Sequence, residues 1–503
     1  MMYGEEKSDS LIVAAKQANN PKGAESVERR SGAKGNAEQP HMRRTQSRES
    51  MSQRLSRVRE AAKQRKKERF TALFHLLTAE ALENAFLSLS RKAAAGVDGV
   101  RWKDYAENLK VNIADLHRRL HQGSYRAQPG RRHYIPKADG KQRPLGIASL
   151  EDKIVQYALV KILNAVYEND FMGFSYGFRP GRSQHNALDA LATGLVRTNV
   201  NWVLDADISQ FFDKVSHEWL IRFIEHRIGD QRVIRLIRKW LTAGTSEEGE
   251  WRASEEGEWR ASEEGTPQGA VISPLLANIY LHYVFDLWAH QWRRRHATGN
   301  VVMVRYADDI VIGFDKRIDA QCFRIAMQRR LKEFGLTVHP KKTRLTEFGR
   351  FAAENRASRG KGKPETFNFL GFTHISGKDR SGRFMLIRKT RRDRMTATLK
   401  AIKDGLRKRW HYSIPEQGKW LRRVVQGYLN YHSVPGNYPM MRKFRIYVTD
   451  LWRRALRRRS QQDDTTWTKA NRLAAVWLPK VRVLHPWPVE RFTARHPRQE
   501  PGA

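Results

Sequence analysis

The pattern of apolar and polar residues predicts a chain that mixes short strands with amphipathic helices. The β-branched runs 301–304 and 310–312 flank the polar residues 306–309, which read Tyr-Ala-Asp-Asp. Two such runs around a short polar break predict a β-hairpin with Asp308 and Asp309 at its tip. Taken alone, this tip is also consistent with a turn that faces solvent.

A second strand with carboxylates is predicted about one hundred residues earlier in the chain. Residues 203–208 alternate so that Asp205 and Asp207 share one face and the apolar residues share the other. Carboxylates beside buried strands are unfavourable unless they are neutralised, and a divalent cation commonly does this. The two acidic strand ends therefore indicate a metal site, with an ordinary solvent-facing strand as the alternative.

Helical periodicity appears in several parts of the chain. Thr78 is the predicted N-cap of a helix whose stripe is Leu82, Phe86 and Leu89, and Ser183 caps another. The predicted helices are a basic helix from Arg54 to Arg69, 185–195, one from about 217, 321–334, and the C-terminal helices 388–409, 420–431 and 441–459. Residues 388–409 contain ten Lys and Arg and two Asp around one apolar face, which is typical of a helix that packs on one side and contacts phosphate on the other.

The remaining patterns predict strands and loops. The segment 134–147 is expected to be a hairpin with Lys137, Lys141 and Arg143 near its turn, and 176–183 a loop rich in Gly and Arg. Further strands are expected at 335–343 and 367–372, and an extended tail at 477–488. An eight-residue unit, Ser-Glu-Glu-Gly-Glu-Trp-Arg-Ala, starts at 246 and again at 254 and begins a third time at 262. This repeat is predicted to lengthen a surface hairpin.

Composition narrows the class of partner. The 503 residues include 93 Lys and Arg against 53 Asp and Glu, for a formal charge of +40. Such a surplus predicts a nucleic-acid partner; a membrane surface is the other polyanion, but no apolar run has spanning length. The single cysteine, Cys322, excludes an intramolecular disulfide and fits a reducing cytoplasm. Residues 1–50 are too polar to bury a core and are expected to be disordered.

The motifs, taken in their order along the chain, resemble the family of reverse transcriptases and maturases encoded by bacterial group II introns. The matching segments are 96–100, 135–147, 176–183, 203–213, 266–278, 306–309, 335–343 and 369–372, and 427–452 resembles that family's maturase domain. A lone Tyr-Ala-Asp-Asp is weak evidence, whereas eight motifs in one order are strong evidence. No zinc-dependent endonuclease domain is expected after the maturase region.

The resemblance implies an α+β right-hand polymerase with an antiparallel palm sheet. Fingers and palm would occupy 51–375, and a helical thumb and maturase domain 376–503. The implied function is RNA-directed DNA synthesis by two-Mg²⁺ nucleotidyl transfer, together with binding of intron RNA to assist splicing and mobility. The implied partners are intron RNA, a DNA primer or target and deoxynucleoside triphosphates, without a membrane.

The resemblance also assigns roles to residues of this chain. The catalytic acids would be Asp207, Asp308 and Asp309, with the same acids and Ile208 as metal ligands and Asp205 in a supporting role. Nucleotide binding would fall to Lys137, Arg143, Phe212 (as the sugar gate), Gln268 and Lys342. Primer or RNA binding would fall to Phe369, Leu370, Gly371, Phe372, Arg391, Arg392 and Arg394.

The sequence departs from the family at a few positions beside the implied site. Ala270 replaces a common glycine, and His339 and Lys341 replace a common asparagine and an acidic residue. These changes are expected to affect rate or fidelity more than mechanism. A retron or diversity-generating reverse transcriptase and a splicing-only maturase remain as alternatives; the long basic C-terminal region favours the intron type, and the intact acids favour an active polymerase.

Overall fold

The computed structural model describes residues 50–136, 142–246, 264–266, 269–459 and 465–495. The strands are β1 Gly130–Pro136, β2 Gln142–Ile147, β3 Trp202–Asp207, β4 Thr245–Ser246, β5 Val301–Tyr306, β6 Asp309–Phe314, β7 Arg344–Glu347, β8 Thr366–Phe369, β9 Phe372–Lys378 and β10 Phe384–Thr390. The predicted disordered tail, except for its last residue, and most of the repeat lie outside the described residues.

Helices make up most of the rest of the described chain. They are α1 Met51–Gln64, α2 Ala79–Ser88, α3 Trp102–Glu107, α4 Leu109–Gln122, α5 Leu150–Tyr167, α6 Gln184–Arg197, α7 His217–Arg227, α8 Gln231–Thr242, α9 Ser273–Leu281, α10 Leu287–Arg295, α11 Arg317–Glu333, α12 Ala352–Ala357, α13 Arg392–Arg407, α14 Ile414–His432, α15 Tyr438–Arg457, α16 Trp467–Trp477 and α17 Pro488–Arg495. Short 3₁₀ turns lie at Phe74–Leu76 and Phe211–Asp213, and a π-helical turn, His282–Asp286, joins α9 to α10. None of the helices in these described ranges is long and apolar enough to cross a bilayer.

The chain divides into two compact units. The first comprises Met1–Phe171 and Val215–Tyr283. In it, β1 pairs with β2 as the predicted antiparallel hairpin, and the two-residue β4 runs parallel to β1. Helix α5 is buried along most of its length because its apolar residues surround it, and it begins at Ser149, whose hydroxyl accepts from the Asp152 amide.

The second unit comprises Met172–Lys214 and Val284–Ala503. It contains an antiparallel sheet in the order β5-β6-β3-β7 and a second antiparallel sheet in the order β10-β9-β8. The four-stranded sheet confirms the predicted strand over 203–208 and the predicted hairpin around Asp308. One core joins these sheets to α6, and its buried residues include Leu188, Val203, Val311, Phe348 and Phe369.

A separate core in the same unit holds the C-terminal helices together. Met395, Ile402, Leu421, Phe444 and Trp452 are all buried in it, and they come from α13, α14 and α15. The predicted apolar stripe of α13 is therefore confirmed. The helix bounds differ from those predicted by a few residues at each end, and the tail after residue 487 turns into α17.

Two predictions of strands were wrong. Residues 335–343 form a loop, joined to the end of β3 by an isolated bridge between Ile208 and Val338, and the strand begins afterwards at Arg344. Pro340 lacks an amide hydrogen, and the amides of Lys342 and Thr343 both donate to the His339 carbonyl, which makes a turn. Residues 367–372 are two strands joined at Leu370 and Gly371, which have left-handed φ angles of 44° and 80°.

Candidate active site

The pairing of β3 with β6 brings two of the predicted acids face to face. Asp207 lies directly opposite Asp309 in the antiparallel register, and Asp205 lies opposite Val311. Residues opposite each other point to the same side of a sheet, and their Cα atoms lie about 4.5–5.5 Å apart. Asp205, Asp207 and Asp309 therefore share one face of the sheet. Asp308 is the residue before Asp309 and lies in the turn between β5 and β6.

The raised pKa values of Asp205 and Asp309 reflect how close these acids lie to one another. The pKa of Asp205 is raised to about 7, first by burial and then by the charge of Asp207, against the lowering effects of Arg344 and Arg391. The pKa of Asp309 is raised well above its usual value by burial and then by Asp205, Asp308 and Asp207. Such a cluster is unfavourable when all of its members are ionised, because like charges repel across a poorly hydrated space.

Cationic side chains face the same cluster. Lys342 Nζ lies 2.7 Å from Asp207 Oδ2, with the lysine side chain mostly exposed. Arg391, at the N-cap of α13, lowers the pKa of both Asp205 and Asp309. The guanidinium of Arg391 also pairs with Asp393 at 2.7 Å. The acids, Lys342 and Arg391 belong to the same unit, so one folded body assembles them.

The donor set suits a divalent cation. The carboxylates of Asp205, Asp207 and Asp309 on one face of the sheet are the kind of oxygen ligand that Mg²⁺ prefers. As the side chains stand, no group of three or more His, Cys, Asp or Glu within the described ranges is spaced to close around a metal. Asp207 is engaged with Lys342, so its carboxylate would have to leave the ammonium group in order to bind a cation.

The other predicted metal ligand is the backbone of Ile208. The loop after α11 meets β3 through two hydrogen bonds: the His339 amide donates to the Asp207 carbonyl at 2.7 Å, and the Ser209 amide donates to the Thr337 carbonyl at 2.8 Å. Neither bond uses the Ile208 carbonyl. The predicted strand at 335–343 was wrong, but the loop that replaces it brings Lys342 to Asp207.

The turn that carries Asp308 rests on a buried ion pair that the sequence reasoning missed. Arg305 and Asp286 are both 0% exposed, with Arg305 Nε 2.7 Å from Asp286 Oδ1 and Nη2 2.5 Å from Oδ2. Arg305 Nη2 also donates to Ser175 Oγ at 2.7 Å, and Nη1 donates to the Ala307 carbonyl at 3.0 Å. Ala307 has a left-handed φ of 55°, so this guanidinium holds a strained residue next to Asp308.

The predicted primer-binding residues lie in the same unit as the acids. Phe369 and Phe372 are buried in the core, and the turn between them is held by Tyr431, whose hydroxyl donates to the Leu370 carbonyl at 2.7 Å. The Arg391 amide donates to the Gly371 carbonyl at 3.1 Å. Arg392 and Arg394 follow in the first turn of α13.

The structure describes only some of the predicted nucleotide-binding residues. Phe212 is half-buried in the 3₁₀ turn that follows β3, with its ring edge-on to Phe211 at 5.3 Å. Arg143 lies in β2, in the first unit. Lys137 and Gln268 fall outside the described residues. The structure therefore brings together Asp205, Asp207, Asp308, Asp309, Lys342 and Arg391.

Comparisons with known proteins show which families this chain is similar to. The family described as reverse transcriptase (RNA-dependent DNA polymerase) matches residues 135–374, a range that includes all four acids. Protein YkfC of Escherichia coli is 41% identical over 214 residues, which cover 42% of this chain and 54% of that protein. The group II intron-encoded protein LtrA of Lactococcus lactis is 36% identical over 231 residues, 45% of this chain and 37% of LtrA.

A further relative is nuclear intron maturase 2 of Arabidopsis thaliana, 32% identical over 91 residues, which cover 18% of this chain and 12% of the maturase. The matched regions of YkfC and LtrA thus span about half or less of those relatives' own lengths. The shared family description and the ordered motifs nevertheless agree. Over residues 135–374 the chain therefore matches reverse transcriptases, and over parts of its length it is similar to a group II intron-encoded protein and to an intron maturase.

Proposed function

We propose that this protein is an RNA-directed DNA polymerase encoded by a group II intron, and that it also binds its intron RNA as a maturase. The observation that carries the proposal is the register of β3 and β6, which places Asp207 opposite Asp309 and beside Asp308. The formal charge of +40 supports a nucleic-acid substrate. We also propose a division into two regions, with right-hand fingers and palm over 51–375 and a thumb and maturase region over 376–503. The proposed boundary at residue 375 falls within β9.

The reaction we propose is nucleotidyl transfer. The primer 3′-hydroxyl attacks the α-phosphate of a deoxynucleoside triphosphate, the bond to the β-phosphate breaks, and pyrophosphate leaves. Two Mg²⁺ ions held by Asp207, Asp308, Asp309 and the Ile208 carbonyl would supply charge neutralisation for the attacking and leaving oxygens. The protein needs no side-chain nucleophile for this chemistry, which is largely positioning and electrostatics.

The remaining residues of the site act on substrate position. Lys342, already 2.7 Å from Asp207, would carry positive charge toward the phosphates. Phe212, in the turn after β3, would press its ring against the sugar and exclude a 2′-hydroxyl. Lys137, Arg143 and Gln268 are proposed to hold the triphosphate and base on the strength of the family resemblance.

The turn between β8 and β9 and the start of α13 are proposed to hold the primer end. Leu370 and Gly371 form the turn, and Arg391, Arg392 and Arg394 supply positive charge beside it for the nucleic-acid backbone. In splicing, the basic helices of the C-terminal region would neutralise intron phosphates, while the catalytic metals belong to the RNA.

The decisive experiment is the Asp308→Ala variant. Primer extension on an RNA template is expected to be lost, because one carboxylate fewer leaves the cations without a full set of ligands, while splicing of the intron RNA persists. Asp379→Ala is the matched control, since Asp379 lies in an exposed turn where it bonds Arg383. Extension at the control's rate would refute the proposed polymerase site, and loss of splicing as well would mean that the two roles share this residue.

A further inference from the structure

A cavity that the proposed polymerase does not use lies within the second unit. Its volume is about 480 Å³, within the roughly 300–1,000 Å³ typical of small-ligand sites. The walls come from the loop before α6, from α6 itself and from α17, and the side chains that matter are Arg182, Asp189, Arg491 and Phe492. Two parts of the chain that lie 302 positions apart at Asp189 and Arg491 therefore converge on this cavity.

The charges around this cavity do not balance. Asp189 is almost fully buried, and it faces two guanidinium groups: Arg491 Nε donates to its Oδ2, and Arg388 Nη1 lies 3.6 Å from its Oδ1. Burial lowers the pKa of Arg388 to about 10, so this side chain still carries its charge at neutral pH. One carboxylate against two guanidinium groups leaves a net positive charge in a poorly hydrated place.

Hydrogen bonding around the same carboxylate is also incomplete. Arg388 Nη1 and Asp189 Oδ1 form an ion pair at 3.6 Å that is too long for a hydrogen bond, and Arg491 Nη2 is a buried polar atom without a hydrogen-bond partner among the described residues. Arg388 is 2% exposed. A cluster that served only to fasten α17 against α6 would be expected to match charge with charge, because unpaired buried charge is costly. The surplus is instead what an anionic ligand would neutralise.

Arg182, which lines the cavity together with Arg491, is held in a fixed position. Arg182 Nη1 donates to the carbonyls of Gly173 at 2.6 Å and Ser175 at 3.0 Å, and its guanidinium lies over the Tyr176 ring at 5.1 Å from the centroid. A preorganised guanidinium binds an oxyanion with less loss of conformational freedom than a mobile one. Phe492 adds an apolar ring to the same wall.

We propose that this cavity binds a phosphate group of a nucleotide, with Arg182 and Arg491 as the contacting cations and Phe492 against the ring of the sugar or base. Guanidinium groups match phosphate geometry, and an aromatic side chain beside them suits a base. The phosphate comes either from a single-stranded RNA backbone or from a free nucleotide. This site is distinct from the acidic face of β3 and β6 and goes beyond the proposed polymerase function.

Hydrogen bonds join the loop at this cavity to β5, the strand that leads into the turn with Asp308. The Tyr176 amide, at the start of the cavity loop, donates to the Arg305 carbonyl at 2.8 Å, and the Arg305 amide donates to the Phe174 carbonyl at 2.9 Å. The Ser175 side chain accepts from the Arg305 guanidinium. A ligand in the cavity would therefore order the same loop that lies against β5.

The first test measures binding by the full-length protein. Binding of a short labelled oligouridylate to the Arg182→Gln and Arg491→Gln variants is measured by fluorescence anisotropy at several salt concentrations. Competition of a deoxynucleoside triphosphate with the oligouridylate is measured in the same way. Each phosphate contact on a single strand contributes about −0.7 to the slope of log K against log salt, so each variant is expected to lose about that much of the slope. Arg118→Gln, an arginine on α4 that pairs with Asp115, is the matched control.

The two probes distinguish the sources of the phosphate. Weaker oligouridylate binding with unchanged triphosphate competition identifies the RNA backbone, and the opposite result identifies a free nucleotide; either supports the site. If both variants bind both probes as the Arg118→Gln control does, the proposal is wrong. Since this assay involves no synthesis, its outcome does not depend on whether the protein extends primers.

A second test uses the unaltered protein, in case loss of Arg491 loosens α17. An oligouridylate and a nucleoside triphosphate, each carrying 4-thiouracil, are photocrosslinked to the protein in separate experiments. The crosslinked peptides are identified by mass spectrometry. Crosslinks to the peptides that contain Arg182 or Phe492 are expected, and an excess of the unlabelled ligand should abolish them. Crosslinks confined to other peptides with both probes would overturn the proposal.

Discussion

Replacing Asp286 with asparagine is expected to lower the free energy of unfolding of the second unit by about 3–5 kcal/mol, because removing one partner of a buried pair leaves the other charge uncompensated. The pair is fully enclosed, with Arg305 and Asp286 each 0% exposed and joined by two contacts of 2.7 and 2.5 Å. Asparagine keeps the shape of the side chain but removes its negative charge. The buried guanidinium would then lose the carboxylate charge of Asp286 that now lies against it.

The same change is expected to slow catalysis. Arg305 Nη1 donates to the Ala307 carbonyl at 3.0 Å, and Ala307 adopts a left-handed conformation that costs about 1–2 kcal/mol for a residue with a Cβ. When Arg305 is no longer fixed, the turn can relax and move Asp308. A displacement of about 1 Å can cost about 10²-fold in rate, so kcat for primer extension should fall by about that factor with little change in KM for the nucleotide.

The assay is urea unfolding followed by steady-state primer extension at a temperature where the variant is folded. Glu354→Gln is the matched control in the same unit, because Lys378 and Glu354 form an exposed pair at 3.2 Å that contributes at most about 1 kcal/mol. A loss of stability no larger than that of the control would refute the argument about the buried charge.

A double variant separates stability from catalysis. Arg305→Met combined with Asp286→Leu replaces the pair with apolar side chains, and such replacements are often neutral or stabilising by about 1–4 kcal/mol. Stability should therefore recover, while kcat stays low because the Ala307 carbonyl has lost its donor. A double variant that extends primers at the rate of the unaltered protein would show that Arg305 does not position the turn.

Three further predictions test other parts of the second unit. Phe212→Ala is expected to incorporate ribonucleotides more readily in primer extension, and unchanged sugar selectivity would contradict the role of the ring as a sugar gate. Gly177→Ala should destabilise the protein and slow extension, because the added Cβ would lie 2.3 Å from the Ala307 nitrogen; a melting temperature and rate equal to those of the unaltered protein would exclude the clash. Burial of His432 lowers its pKa to about 4. The folded state thus holds His432 neutral while the unfolded chain takes up a proton near pH 6.5, so up to about 3 kcal/mol of stability should be lost as pH falls from about 6.5 to about 4. Urea unfolding at several pH values should show less of this loss in His432→Phe, and an equal pH dependence in both proteins would contradict the assignment.

Local patterns predicted the elements that carry the acids. Alternation over 203–208 and the two β-branched runs around Asp308 are properties of neighbouring residues, so they can be seen in the sequence and were confirmed. The segment 335–343 misled the same reasoning, since its apolar residues resemble a strand while Pro340 and the bonds to the His339 carbonyl make a turn. The position of Lys342 beside Asp207 follows from that turn and could not be deduced from periodicity.

The buried ion pair between Arg305 and Asp286 shows where sequence reasoning stops. Arg305 is one charged residue in an apolar strand, and in isolation it could face solvent. Asp286 lies 19 positions earlier at the end of a π-helical turn, His282–Asp286, within a buried helical segment. A π-helical turn shifts the angular register of the residues that follow it, so helical periodicity gives no reliable direction for the Asp286 side chain. Each residue alone would be an unfavourable buried charge. Two oppositely charged residues that each have apolar neighbours in the sequence are therefore expected to pair in the core, and this expectation could have identified Arg305 and Asp286 as partners.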